Sequence, residues 1–256
     1  MAIGPSSSAP TPPSTRGRAV DERLAVCFDL DGVLTDTMPL HAKAWQEAAA
    51  RFGLRVDRQV IYAREGEPGL VTARDLLAHR EAVTKRAIAE LLAWKERSFK
   101  PLAVQVTCHP RVVSLIERLS AREVSLALVT GTSRAEVNRF LPMALQARFD
   151  AIVTGDRVRH GKPHPEPYRT AFRRLHVSAE RTLVVENAPY GIRSARRAGA
   201  GFIIALASSL PPRFLREADA IVRSVSTLCD AIEDRVRKSL GARHRGNGHM
   251  DRGGRE

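Results

Sequence analysis

At 256 residues, 43% hydrophobic and 27% charged, the chain has room for one large domain or a core with an inserted module, at roughly 100–200 residues per domain. No apolar run approaches the roughly 18 residues of a membrane helix, which excludes a spanning segment and a membrane partner, and the composition excludes a wholly disordered chain. Forty-one Lys and Arg against 28 Asp and Glu leave a net +13, an excess that favours anionic partners.

Residues 1–22 are rich in Pro, Ser and Thr, lack the apolar stretch of a secretory signal, and read as a disordered tail. Residues 235–256 carry seven basic residues against two acids, a net +5, and read as a basic flexible tail. With residues 1–22 neutral, +8 remains on residues 23–234. Cys27, Cys108 and Cys229 are widely spaced and odd in number, so neither a disulfide framework nor a clustered metal site is expected, and a cytoplasmic setting fits.

Between the tails, short apolar runs each end in small or polar residues. LAVCF (24–28) precedes Asp29-Leu30-Asp31-Gly32; VSLALV (124–129) precedes Thr130-Gly131-Thr132-Ser133; AIV (151–153) precedes TGD; TLVV (182–185) precedes Glu186-Asn187; GFIIALA (201–207) closes the series. These read as buried strands separated by helical spacing, the pattern of a parallel sheet covered on both faces. Residues 38–106 break the rhythm: MPLHAKAWQEAAARFG, LVTARDLLAHR and TKRAIAELLAWKERSF all carry helical periodicity. The expected fold is therefore α/β, a Rossmann-like three-layer parallel sheet core (23–37 and 107–234) interrupted by an α-helical cap domain (38–106).

Every polar cluster falls at a strand end, where α/β sheets gather ligands. Two carboxylates two residues apart, Asp29 and Asp31, can converge on a cation or divide the work as nucleophile and acid/base, with Gly32 permitting the turn. In isolation they could equally be a solvated acidic turn. Thr130, Gly131, Thr132 and Ser133 can present hydroxyl and N–H donors to a phosphate, or simply cap a helix. In Gly161-Lys162-Pro163-His164-Pro165-Glu166, the prolines stiffen a loop that can hold Lys162 as a fixed charge. Glu186 and Asn187 offer oxygens of the kind Mg2+ prefers.

The order of these four clusters, DLDGVLTDT, LVTGTS, GKPHPEPY and VVENAPYGIRSARRAG, resembles the haloacid-dehalogenase-like hydrolases over nearly all of residues 23–232. The helical insertion is similar to the cap of phosphoglycolate phosphatases and β-phosphoglucomutases. The resemblance implies an aspartyl-phosphate mechanism in which Asp29 is the nucleophile and Asp31 the acid/base. Thr130, Gly131 and Lys162 would hold the phosphoryl group, and Mg2+ would be bound by Asp29, the Asp31 carbonyl, Glu186 and Asn187. Family members usually carry a carboxylate where this chain has Asn187, so weaker Mg2+ binding is expected. His41, Lys43, Arg64 and Glu65 of the cap are the expected substrate contacts. A β-phosphoglucomutase would place an arginine shortly after the loop glycine; Glu67 stands there, which favours a phosphatase, on a sugar phosphate or inorganic pyrophosphate, over a mutase. A small phosphorylated partner and a monomer are expected. A nucleic-acid-binding protein on a hydrolase scaffold is the remaining alternative, disfavoured by an aromatic content of 5%.

Overall fold

The computed structural model describes residues 23–78, 83–122 and 124–246; the expected N-terminal tail and residues 247–256 lie outside them. Six strands, β1 (Leu24–Phe28), β2 (Val124–Val129), β3 (Ala151–Val153), β4 (Thr182–Glu186), β5 (Phe202–Leu206) and β6 (Ala220–Val222), form one parallel sheet in the order β3-β2-β1-β4-β5-β6. The ten α-helices of the described residues are α1 (Met38–Ala50), α2 (Arg58–Ala63), α3 (Gly69–Leu77), α4 (Lys85–Leu102), α5 (Pro110–Ser120), α6 (Arg134–Phe140), α7 (Met143–Gln146), α8 (Glu166–Leu175), α9 (Pro189–Ala198) and α10 (Val225–Gly246).

The strands are largely apolar because both faces are covered, and their residues divide by period two. Leu24, Val26 and Phe28 join one core with Leu115 and Ile116 of α5 and Leu228 and Ile232 of α10. Ala25 and Cys27 point into the other, with Tyr168 and Phe172 of α8 and Ile192 of α9. Burial pushes the Cys27 thiol up to about 12, which leaves it an inert packing group. This is the expected three-layer α/β core, and α1 to α4 occupy the interval between β1 and β2 that was read as wholly helical.

Two expectations need correction. A sixth strand, β6, escaped the sequence reading because its three residues are only half-buried at the sheet edge. The segment from 235 is not flexible at its start: α10 runs to Gly246. Leu228, Ile232 and Val236 repeat every four residues and are all buried, so the helix carries its apolar stripe past residue 235. Asp234 receives Arg237 and Lys238 from the next turn, at 2.9 and 2.6 Å.

Candidate active site

The strand order sets the site. With β1 flanked by β2 and β4, the carboxyl ends of all three meet at one edge, as the crevice rule for open α/β sheets requires. Asp29 and Asp31 follow β1, Thr130 and Thr132 follow β2, Lys162 leads into α8, and Glu186 ends β4 beside Asn187; all seven are buried. Gly32 makes the first turn possible: its φ is +82°, and a Cβ there would run into the Asn187 amide and Met38.

Lys162 ties three strand ends together. Its Nζ donates to Asp29 Oδ1 at 2.7 Å, Glu186 Oε1 at 2.6 Å and the Val129 carbonyl at 3.1 Å, so all three ammonium protons have acceptors. Burial alone would discharge this lysine; the charges of Asp29 and Glu186 overturn that and raise its pKa. Tyr168 donates to the same Glu186 oxygen at 2.5 Å. Burial and the nearby carboxylates hold its phenol protonated as a donor.

Asp31 is surrounded by donors. Thr37 Oγ1 and Thr132 Oγ1 donate to its two oxygens at 2.5 and 2.6 Å, and His41 Nε2 stands 3.3 Å from Oδ1. Burial would raise the Asp31 pKa, but these bonds, His41 foremost, outweigh it and hold the carboxyl well below the usual range. Asp29 goes the other way. Burial, with Glu186 and Asp31 adding repulsion, pushes it well up against the pull of Lys162.

Three buried carboxyl groups, Asp29, Glu186 and Asp31, thus gather around one ammonium, which pairs with the first two. Asp29 Oδ2 and both amide atoms of Asn187 are buried with no hydrogen-bond partner among the described residues. Orphaned polar atoms beside excess negative charge match what a hard divalent cation with oxygen ligands requires, so these residues fit Mg2+. Glu186 is the most committed of them, since it already accepts from Lys162, Tyr168 and its neighbour's N–H.

A cavity of about 450 Å3 opens beside these residues, between the α2–α3 loop, α1 and α4 on one side and Gly131–Ser133 and Gly155–Asp156 on the other. Its two sides nearly touch: a Cβ on Gly131 would meet the backbone of Gly66, so only glycine permits this approach. His41 and Thr132 line the cavity and also bond Asp31, and Glu65 is half-buried in its wall. Burial raises the Glu65 pKa, with Asp31 assisting and His41 and Lys162 opposing.

Two expected substrate contacts are placed differently. Lys43 is 60% exposed beside Glu47 and does not line the cavity; two residues from His41 on α1, it must face away from it. Arg64 lines the cavity, but its guanidinium is held by Glu67 and Asp75, each at 2.6 Å. Ser133 is spent on a capping box with Glu136 that starts α6, while Thr130 Oγ1 accepts the Thr132 N–H at 3.0 Å. The two readings of this loop therefore divide between its residues.

Sequence reasoning missed Thr132 as a donor to Asp31, Tyr168 as an anchor of Glu186, and Lys95. The Lys95 side chain is 9% exposed, lines the cavity, bonds Glu96 at 2.8 Å and lies 4.7 Å from the Phe99 ring. Phe99 in turn stacks on His41 at 4.1 Å.

Residues 26–205 match the family model described as haloacid dehalogenase-like hydrolase. The chain belongs to that family. Among its relatives, a phosphorylated carbohydrates phosphatase of Thermotoga maritima is 34% identical over 205 residues, 77% of this chain and 92% of that protein. A fructose-1-phosphate phosphatase of Escherichia coli is 33% identical, covering 70% and 94%. Among solved structures, a Bacteroides vulgatus protein provisionally described as a β-phosphoglucomutase superposes with a TM-score of 0.74 at 28% identity, covering 87% of this chain and 91% of that one. All four clusters, from Asp29 to Gly199, fall within the matched region, while β6 and α10 lie beyond it. No helix among the described residues is long and apolar enough to cross a membrane.

Proposed function

We propose that this enzyme is an Mg2+-dependent phosphatase for small phosphorylated carbohydrates. The cavity carries the substrate reading. It is walled by Trp45, Ile61 and Leu92 as well as by Lys95, Glu65 and His41, and its volume is in the ordinary range for small-molecule sites. Apolar and aromatic walls with a few polar groups suit a carbon skeleton bearing hydroxyls; pyrophosphate would leave those walls unfilled. The two relatives named as carbohydrate phosphatases support the same choice.

In the proposed reaction Asp29 Oδ2, which has no other partner, attacks phosphorus, and the bond from phosphorus to the sugar oxygen breaks. That oxygen takes a proton from Asp31. Water then attacks the aspartyl-phosphate, gives its proton to Asp31 and releases phosphate and Asp29. Asp31 stands in the free enzyme as the base, so it must gain a proton before the first step. An arriving phosphate, itself anionic, raises its pKa toward that. Lys162 aims Asp29 and offsets charge on the phosphoryl group, and Thr130 with Gly131 contributes donors beside it. Asp29, the Asp31 carbonyl, Glu186 and Asn187 would hold Mg2+, which when bound supplies charge neutralisation for the phosphoryl oxygens.

The test is phosphate release from a panel of sugar phosphates, polyol phosphates and pyrophosphate. A carbohydrate should exceed pyrophosphate at least about tenfold in kcat/KM; equal turnover of both would remove the cavity argument. A mutase needs a second phosphate site, and the arginine expected for it after the loop glycine is replaced by Glu67, while Arg64 is paired with Glu67 and Asp75. Conversion of β-glucose 1-phosphate to glucose 6-phosphate without free phosphate would favour the mutase instead.

Two substitutions probe the assignment. Lys95→Met should raise KM about tenfold with kcat little changed, the size of one charge-assisted hydrogen bond to bound substrate. An unchanged KM across the panel would place Lys95 outside the binding surface. Asn187→Asp adds a fourth carboxylate, so half-saturation by Mg2+ should come at roughly tenfold lower concentration. The same variant should melt below wild type in chelator and recover on adding Mg2+. A melting temperature indifferent to Mg2+ would show that residue 187 is not a ligand.

A further inference from the structure

The loop that sends Lys162 inward presents a second set of side chains outward. His160, His164 and Glu166 stand two residues before, two after and four after that lysine, and one ligand atom from each lies within 4.8 Å of the others. We propose that these three residues form a binding site for a divalent cation of the zinc, nickel or copper class, separate from the residues that fit Mg2+.

The donor set selects the metal. Two imidazole nitrogens and one carboxylate oxygen suit borderline cations, whereas Mg2+ prefers oxygen alone. The carboxylate is already fixed: Glu166 Oε1 accepts the Arg159 N–H at 2.8 Å and Oε2 accepts the His160 N–H at 3.0 Å. His160 Nδ1 stands 2.9 Å from Oε2, and the two imidazole rings lie 4.5 Å apart at 36°. Two ligands about 2.0–2.1 Å from a tetrahedral cation would be roughly 3.3 Å apart, so His160 and Glu166 need only a small separation. The backbone beneath is tied as well, with Ser194 Oγ donating to the His164 carbonyl at 2.5 Å and Arg197 Nη1 to that of Pro163 at 3.2 Å. Such outer bonds orient ligands before a metal arrives.

Access and protons are both accounted for. The His160 side chain is 56% exposed and that of Glu166 27%, so a cation can arrive from solvent and keep water in its remaining positions. The bond from the Arg159 N–H leads the effects that keep Glu166 ionised. His160, binding through Nδ1, shifts its proton to Nε2. His164 Nδ1 accepts the Glu166 N–H at 3.2 Å; binding through Nδ1 replaces that hydrogen bond, and binding through Nε2 moves the ring proton to Nδ1 and breaks it. Arg169 and Arg173 share the adjoining surface groove with His164 and Glu166, and their charge favours a cation whose bonds to imidazole are strong over one held by charge alone.

The experiment is calorimetric titration of the full chain with Zn2+ in excess Mg2+, which keeps the buried carboxylates supplied. Wild type should bind one equivalent that weakens at least about tenfold in His160→Ala and in His164→Ala and is lost in the double variant. Asp29→Asn should retain it. The ligands are exposed enough for the variants to fold, and Zn2+ should raise the melting temperature of wild type but not of the double variant. With Cu2+ as probe, imidazole nitrogen couplings in electron paramagnetic resonance should be present in wild type and absent in the double variant. Equal stoichiometry and affinity in wild type and the double variant would overturn the site. Because the readout is binding and not turnover, this result is independent of the substrate reading.

Discussion

Asp29→Asn is expected to lower phosphate release by about 10^4-fold or more while leaving the metal-free protein as stable as wild type, or more so. The loss of activity follows because an amide cannot take the phosphoryl group. Stability goes the other way for an electrostatic reason. Burial, Glu186 and Asp31 raise the Asp29 pKa above that of the unfolded chain. A group raised in this way stabilises the fold at low pH and loses that contribution as pH rises through its folded value. Near neutral pH Asp29, with its pKa raised, therefore costs the metal-free fold stability, and the neutral amide relieves it while Oδ1 can still accept from Lys162. Mg2+ should reverse the order, raising the wild-type melting temperature more than that of the variant. Thermal denaturation of both proteins with chelator and with Mg2+ checks this. A variant that melts below wild type in chelator would mean that Lys162 more than offsets the three carboxylates.

The same cluster shows why part of this molecule could be read in advance. Asp29, Asp31, Thr130, Lys162 and Glu186 each follow or end an apolar run or lie in a proline-stiffened loop, so local sequence marks them. Their convergence needs only the rule that parallel strand ends meet at one edge. Thr132, Tyr168 and Lys95 carry no such mark. Thr132 reaches Asp31 across 101 positions and Tyr168 reaches Glu186 across 18, contacts that exist only after the sheet has formed. Lys95 looks like any solvated lysine on α4 until its ammonium is seen to lie 6.0 Å from the Trp45 ring and 4.7 Å from the Phe99 ring.

Other misplacements were avoidable. His41 and Trp45 are four apart on α1 and share a face, whereas Lys43 between them must lie opposite. The helical stripe Leu228, Ile232, Val236 likewise continues past residue 235, where charge composition alone suggests flexibility. The outer cluster of His160, His164 and Glu166 lies within HGKPHPEPY (160–168), but a motif that marks its lysine gives no sign of the side chains that point the other way.

Lys162→Met should be the most destabilising single change in the site, by about 3–5 kcal/mol, the usual cost of removing one partner from a buried ion pair. For a domain of this size that is a fall in melting temperature of roughly 6–20 °C. The lysine is 2% exposed and its two carboxylate partners 3% and 1%, so water cannot replace it. Turnover should be lost as well, but activity alone would not separate a catalytic charge from a structural one. The double variant Lys162→Met/Glu186→Gln does so. Glutamine keeps one acceptor oxygen, enough for Tyr168 but not also for the Asn187 N–H, while removing one unpaired buried charge. It should recover at least about half of the lost stability and none of the activity, since buried uncompensated charge and not lost packing is the larger cost. A double variant as unstable as the single one would assign the lysine's role to its methylene stem, which the backbone at Gly66 closely approaches, and not to its charge.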